Sequence, residues 1–409
     1  MRIRFVTLYH PPEVGAAQRR ISELARWLAR LGHEVTILTG FPNYPSGRKP
    51  EGYRGRLFMK EQVDGCTIIR LPHYVAPNKG FFKRLMIHMT FALSASLYAP
   101  LMRRDDIIYL ESPPLFNGFI GLTTKWLRGT PYLFNLADLW PQTAVELGVL
   151  TNKTIIRLAQ FLERLFYSQA AKILAITGGL QETLIKRGYP EAKVPLLTNG
   201  VDHDIFREDT APDPELSAYR PAGGMLVIYA GTHGLIYSLE TLLYAAQCLR
   251  EDRIHFLFIG DGADKDRLMA LAEGLRLTNV TFLPSQPQSR MPAVFRAADA
   301  AVISLKDLPI SKAIMPVKCF EIMACGVPII LAARGEMAGH IERSGAGVVI
   351  EPENPDELAA TLRRFARMTD DERVVMGRGG RAYVTAHFSR EKIALTLEAL
   401  MKETIGHGR

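Results

Sequence analysis

Residues 316–328 read Pro316-Val-Lys-Cys-Phe-Glu321-Ile-Met-Ala-Cys-Gly326-Val-Pro328 and run on into the apolar stretch Ile329 to Ala333. The run predicts a short apolar helix that closes on Gly326 in a left-handed cap. Pro328 keeps it from continuing, so the chain turns sharply into a buried strand. One carboxylate, Glu321, stands inside that helix, where charged residues are rarely buried unless paired or functional. A carboxylate accepts two hydroxyl hydrogen bonds from a vicinal diol such as a ribose, and in a doubly wound fold ligands lie at the carboxyl ends of strands. The plainer reading is an ion pair with Lys318 at spacing three.

Working outward, apolar β-rich runs alternate with helix-period segments in both halves of the 409 residues. Strands are expected at 2–10, 33–39, 67–71, 106–111, 132–137, 172–177 and 194–198, then at 225–230, 255–259, 280–283, 300–305, 327–332 and 347–351. Between them, Ala17 to Leu31 puts Ile21, Leu24, Ala25, Leu28 and Ala29 on one helical face. Alternating β and α predicts an α/β protein with two parallel sheets covered by helices, and the length asks for two cores. The polar, proline-bearing segment from Glu208 to Gly224 is read as the linker between them.

Net charge is informative once divided by position. Residues 1–205 carry 26 Lys and Arg against 16 Asp and Glu, 26 − 16 = +10, and residues 206–409 carry 24 against 26, 24 − 26 = −2. A basic half suits an anionic ligand or surface, while the absence of an aromatic-interleaved basic stripe argues against nucleic acid. Cys66, Cys248, Cys319 and Cys325 are scattered beside apolar residues without ligand spacing. They read as reduced core thiols of a cytoplasmic protein, with no metal. Met1 leads straight into a strand, so no signal peptide is expected.

Glycine turns mark the candidate ligand-binding positions. The first strand is followed by Pro-Pro-Glu-Val-Gly15-Ala-Ala-Gln18 and then a helix, a small-residue turn whose N–H groups and helix dipole suit an anion. A plain tight turn explains Gly15 as well, and neither a dinucleotide fingerprint nor a Walker motif is present. Asn199-Gly200-Val-Asp202 ends the last strand of the first half; Gly231-Thr-His233-Gly234 and Gly260-Asp261-Gly262 end the first two strands of the second. These three turns are expected at strand ends facing one interdomain cleft.

These residues carry a resemblance. From His10-Pro-Pro-Glu-Val-Gly15 through Asn199-Gly-Val-Asp202, Gly260-Asp-Gly262 and the Glu321 helix to His387-Phe-Ser, the chain resembles the retaining glycosyltransferases of family 4, which have the GT-B fold. Thr39-Gly-Phe-Pro-Asn43-Tyr44-Pro45, Asp138-Leu-Trp-Pro141 and Pro316-Val317-Lys318 make it most similar to fucosamine transferases of bacterial O-antigen and capsule assembly. The resemblance implies two Rossmann-like domains. An acceptor domain would span 1–207 with a crossover helix within 388–409, and a nucleotide-sugar domain 208–387.

It also implies roles. Glu321 would hold the ribose of a nucleotide-diphosphate sugar, a substrate expected to be UDP-linked, with no cofactor. Lys318, beside Pro316 and Val317, and the Gly15-Ala16 loop would face the diphosphate or donor sugar. Gly231, His233, Gly234, Gly260 and Asp261 would line the donor, and Asp138 would lie near the acceptor hydroxyl and join Lys318 in catalysis. His10, Asn43, Tyr44 and Asn199 would stand on the acceptor side. Three places depart from the family pattern: Ala313 replaces a second Glu, Thr232 and Tyr237 replace a phosphate-clamping Arg and Lys, and Ala137 replaces a His before Asp138. Arg290 and Lys318 are the expected substitutes for the missing cations. For Asp138 a helix N-cap is the alternative. A nucleotide-sugar 2-epimerase and a non-catalytic sugar-nucleotide-binding partner are the other readings.

Residues 85–102 contain no Asp, Glu, Lys or Arg, but His88, Thr90, Ser94, Ser96 and Pro100 favour a buried or interfacial helix over a membrane span. Lys79, Phe81, Phe82, Lys83 and Arg84 just before it pair cations with aromatics. Peripheral docking on anionic lipid at the inner membrane face, where a lipid-linked saccharide acceptor would wait, is therefore expected.

Overall fold

The computed structural model describes residues 1–406 except Val14, Pro45, Asn78, Lys79 and Leu147, and of Ala16 and Phe81 the backbone alone. The chain forms two compact units, Met1–Asn199 with Arg390–Arg409, and Gly200–Ser389. The crossing falls at Asn199–Gly200, ahead of the expected boundary at 207. Val201 N donates to Phe388 O at 2.9 Å, and Val201 and Phe206 enter the core of the second unit.

The first unit runs β1 (Arg2–Val6), α1 (Ala16–Arg30), β2 (Glu34–Gly40), β3 (Met59–Val63), β4 (Cys66–Leu71), α2 (Phe81–Tyr98), β5 (Ile107–Ser112), α3 (Gly118–Arg128), β6 (Tyr132–Leu136), α4 (Gln142–Glu146), α5 (Lys153–Gln169), β7 (Lys172–Ala175) and α6 (Gly178–Lys186). Its seven-stranded sheet has the order β3-β4-β2-β1-β5-β6-β7, parallel except for β3 against β4. The antiparallel edge strand, Met-Lys-Glu-Gln-Val, was not legible: it is mostly exposed and has no apolar face to show a period. The strand expected at 194–198 is instead a single bridge, Leu196 to Ala175. Pro195 lacks the N–H that a longer ladder would need.

The second unit runs α7 (Pro214–Ser217), β8 (Met225–Ala230), α8 (Leu239–Cys248), β9 (Ile254–Ile259), α9 (Lys265–Gly274), β10 (Val280–Leu283), α10 (Met291–Arg296), β11 (Ala300–Ser304), α11 (Val317–Ala324), β12 (Ile329–Ala332), α12 (Glu336–Ser344), β13 (Gly347–Ile350), α13 (Pro355–Arg367) and α14 (Asp370–His387). Its six strands are ordered β10-β9-β8-β11-β12-β13, all parallel. The opening reading holds in detail: α11 ends before Gly326, whose φ of +67 is left-handed, and β12 is buried throughout. Cys66, Cys319 and Cys325 are buried and unbonded, but Cys248 is exposed, a correction to its reading as a core thiol. It is the last residue of α8, where the helix leaves the core.

α15 (Arg390–Gly406) belongs to the first unit. Its Ile393, Ala394, Leu397 and Met401 pack with Leu24, Ala25 and Leu28 of α1 against one face of the sheet. The opposite face carries α2, α3 and α5 through Ile87, Phe91, Ala95, Ile120 and Phe166. Each fully buried Ile, Leu, Met or Phe side chain among these contributes roughly 1.5–3 kcal/mol. Segment 85–102 thus lies in α2 and the 3₁₀ turn Ala99–Leu101, with one face in the core. Among the described residues no helix is long and apolar enough to cross a membrane.

Candidate active site

In each sheet the strand order reverses beside the first strand of its unit, β8 lying between β9 and β11 and β1 between β2 and β5. Helices leave in opposite directions there, opening a crevice at the carboxyl ends of the strands. At the end of β8, Gly231 N donates to Ile259 O at 2.8 Å, His233 N to Asp261 O at 2.9 Å, and Asp264 N to His233 O at 3.0 Å. The two glycine turns after β8 and β9 are therefore locked backbone to backbone. A Cβ on Gly260, whose φ is +147, would overlap the Gly231 carbonyl. Asp261 is exposed and accepts from Gly262 N at 2.8 Å.

Lys318 reaches this turn from the first turn of α11, which starts at Val317 with Pro316 as its N-cap. Its Nζ lies 4.2 Å from the ring centroids of both Tyr229 and Tyr237 and donates to Tyr229 Oη at 2.9 Å. Tyr229 in turn donates to Thr232 O at 2.6 Å. Gly231, at φ +142, is in a conformation that favours glycine, and a Cβ on it would displace Lys318 Nζ. Of the two uncharged replacements, Tyr237 thus helps Tyr229 to seat Lys318. Glu321, one turn further along α11, is 4% exposed. Gly234 closes the turn, accepting from Tyr237 N at 3.0 Å.

His233 is fully buried among Tyr229, Phe258 and Phe282, and among the described residues neither ring nitrogen has a hydrogen-bond partner. Burial, helped by Lys265 and Lys318, pushes its pKa down to about 4, so the imidazole is neutral at pH 7. Arg290 is occupied elsewhere: its Nε meets Asp213 at 2.6 Å and its Nη2 meets Glu215 at 2.5 Å. The structure therefore brings Lys318, Glu321, Gly231, His233, Gly234, Gly260 and Asp261 to one end of the second sheet and ties Arg290 to α7.

In the first unit a carboxylate not singled out by sequence organises the acceptor-side candidates. Glu13, 6% exposed, accepts from His10 N at 3.2 Å, Asn43 N at 2.8 Å and Tyr44 N at 2.8 Å. It joins the loops after β1 and β2. Burial raises its pKa and the three N–H groups oppose that rise. His10 is buried and its pKa is held at about 4, by burial first and Arg70 second. Gly15 is the N-cap of α1 in an extended conformation, φ 174, and its carbonyl accepts from Arg19 N at 3.1 Å. The Ala16 side chain, like Lys79 and the Phe81 side chain, lies outside the described residues. Asp138, half-buried after β6, accepts from Thr143 Oγ1, and burial raises its pKa.

Residues 15–200 match the Glycosyl transferase 4-like domain, and residues 221–383 match Glycosyl transferases group 1. The chain carries two glycosyltransferase domains. It is 26% identical over 379 residues to the colanic acid biosynthesis glycosyl transferase WcaI of Escherichia coli K12, covering 89% of this chain and 92% of WcaI. Among solved structures, the sucrose-phosphate synthase of Thermosynechococcus elongatus superposes with a TM-score of 0.77 at 19% identity, covering 99% of both chains. Anabaena HepE in complex with UDP-glucose superposes at 0.71 and 16%, covering 98% of this chain and 100% of HepE. The fold is GT-B, with Rossmann-like α/β units.

A second polar cluster in this glycosyltransferase also escaped the sequence reading. Arg20 of α1 pairs with Glu111 at the end of β5 and donates to Asn199 Oδ1 at 2.7 Å, while Asn135 of β6 donates to Glu111 at 3.1 Å. One helical turn on, Glu23 holds Arg390 at 2.8 Å. Burial pushes the Glu111 carboxyl up to about 7 against the pull of Arg20. The available signal was a charge inside each apolar pattern: Glu111 ends Ile-Ile-Tyr-Leu-Glu, and Arg20 adjoins the core residue Ile21.

Proposed function

We propose that the protein transfers a sugar, with retention at the anomeric carbon, from a UDP-linked donor to a lipid-linked saccharide during bacterial surface polysaccharide assembly. The observation that carries the reading is Lys318, seated on Tyr229 and Tyr237 against the glycine turn at the end of β8, with Glu321 one turn away. The solved HepE complexes with UDP and UDP-glucose support the nucleotide, and the name of WcaI supports the polysaccharide. Retention and a fucosamine-type donor rest on the resemblance in sequence.

In the proposed reaction the bond from the anomeric carbon to the β-phosphate oxygen breaks as the acceptor hydroxyl bonds to that carbon on the same face. The acceptor proton passes to the departing phosphate. Lys318 stabilises the charge that develops on the diphosphate, and the N–H groups of the glycine turn add to it. Asp138, held by Thr143, orients the acceptor hydroxyl. A lysine in this role supplies positive charge to the departing diphosphate, and the proposed reaction uses no divalent cation.

The test is release of UDP from a panel of UDP-sugars with and without lipid-linked acceptor. Lys318→Ala is expected to lower kcat/KM by roughly 10²–10³, since it removes a group acting on the developing charge. Activity is expected to survive EDTA, and the product anomer read by NMR should match that of the donor. A panel from which no UDP is released in any combination would overturn a catalytic role.

A further inference from the structure

One helix face of the first unit has no cover among the described residues. Along α2 the side chains of Phe82, Met86, Met89, Leu93 and Leu97 recur at helical spacing on the side opposite the buried Ile87, Phe91 and Ala95, and Leu101 continues the row in the 3₁₀ turn. Their exposure runs from 43% at Met89 to 77% at Leu101. The stripe follows a helix of 18 residues, about 27 Å long. Scattered surface leucines are ordinary, but a contiguous row of this length marks an interaction surface. The neighbouring α3, whose Arg128 Nε donates to Pro100 O at 2.6 Å, also exposes Trp126 at 65%.

Two polar groups beside the stripe are already satisfied within the helix. Thr90 Oγ1 donates to Met86 O at 2.7 Å, and Ser94 Oγ donates to Phe91 O at 3.1 Å. Neither requires water on the stripe side. Charge flanks the row at both ends: Lys83 and Arg84 are exposed at its start and Arg103 and Arg104 beyond its end, with no Asp or Glu between Gly65 and Arg104. That pattern selects among occupants. Two copies paired stripe to stripe would set cations against cations in either orientation, with no carboxylate in the stripe to neutralise them. An anionic lipid surface meets both features, since it takes apolar side chains between its headgroups and pairs with the flanking cations.

We propose that α2 lies in the membrane interface, its stripe from Phe82 to Leu101 inserted among the lipids and Lys83, Arg84, Arg103 and Arg104 resting on anionic headgroups. This rests on the lipid-linked acceptor proposed above and moves the contact from the 79–84 segment to the whole helix. It accounts for an apolar helix face that the core does not use.

The test is flotation of the full chain with vesicles of phosphatidylglycerol and phosphatidylcholine, and with phosphatidylcholine alone. The parent is expected to float with the first at low salt and to be released as salt rises. Leu93→Glu with Leu97→Glu should lower partitioning about tenfold or more, because both side chains leave the lipid and two carboxylates face it. Val375→Glu, an equally exposed position on α14, should not change it. UDP release without acceptor should be the same in all three proteins, so a failed donor reaction and a failed docking face are separately visible. Equal flotation of parent and double variant, equal binding to neutral vesicles, or a parent dimer in sedimentation velocity that the double variant loses would each overturn the proposal.

Discussion

Gly260 and Glu321 make different demands on the same end of the second sheet. Gly260 sits at φ +147 with no room for a Cβ against the Gly231 carbonyl, a backbone atom that has nowhere to move. Gly260→Ala is expected to cost roughly 2–4 kcal/mol of stability, combining a conformation reserved for glycine with a backbone clash, and its urea midpoint should fall accordingly. Glu321→Ala is the converse case. If the carboxylate accepts two ribose hydroxyls, its loss should weaken UDP binding by roughly 2–4 kcal/mol in titration calorimetry while the fold survives. Unchanged UDP affinity in a folded variant would remove Glu321 from the donor site. Sequence reading found both residues from local signals, a glycine ending a strand and a carboxylate inside an apolar helix. It did not find Glu13, whose three backbone donors come from segments about thirty residues apart in sequence.

At the scale of elements, α1 is held by two charges on one face. Arg20 binds Glu111 and Asn199, and Glu23 binds Arg390, so the residues at which the first unit's chain leaves and returns are both fixed to one helix. Removing one partner of a buried pair leaves the other charge unpaired, whereas replacing both with apolar residues does not. Arg20→Ala is therefore expected to destabilise by about 3–5 kcal/mol, and Arg20→Met with Glu111→Met to recover a large part of that loss, measured by urea unfolding. Elements with strong periods, such as α1 and β8, were legible to within a residue or two. The exposed β3 and the Leu196 bridge were not, because their pairing depends on a neighbouring strand rather than on a pattern of their own.

For the whole molecule, buried neutral histidines set the acid limit. His10, His73, His88 and His233 are each lowered to about 4, burial being the first cause in every case. A group whose folded pKa lies below its unfolded value of 6.5 contributes stability that is present above pH 6.5 and lost as pH falls toward 4, because only the unfolded chain takes up the proton in that window. For His233 alone the loss between pH 6.5 and 5 is about 2 kcal/mol. His233→Phe, in its aromatic surroundings, should show a smaller difference between urea midpoints at pH 7 and pH 5 than the parent. Equal differences would place the acid sensitivity elsewhere.

The sequence by itself determined the two α/β halves, the glycine turns at the ends of β8 and β9, and the helix that carries Lys318 and Glu321, because each is written in a local period, cap or turn within about a dozen residues. Only the tertiary structure decided what those residues touch. Lys318 lies on two tyrosines from another part of the chain, Arg290 is bound to Asp213 and Glu215, and Cys248 faces solvent. It also decided which face of α2 stays bare: 85–102 is apolar nearly all round in sequence, and the core covers one side of it and leaves the other exposed. Burial and long-range polar pairing are properties of the packed chain, and they require the two distant segments to be in place before either residue has its partner.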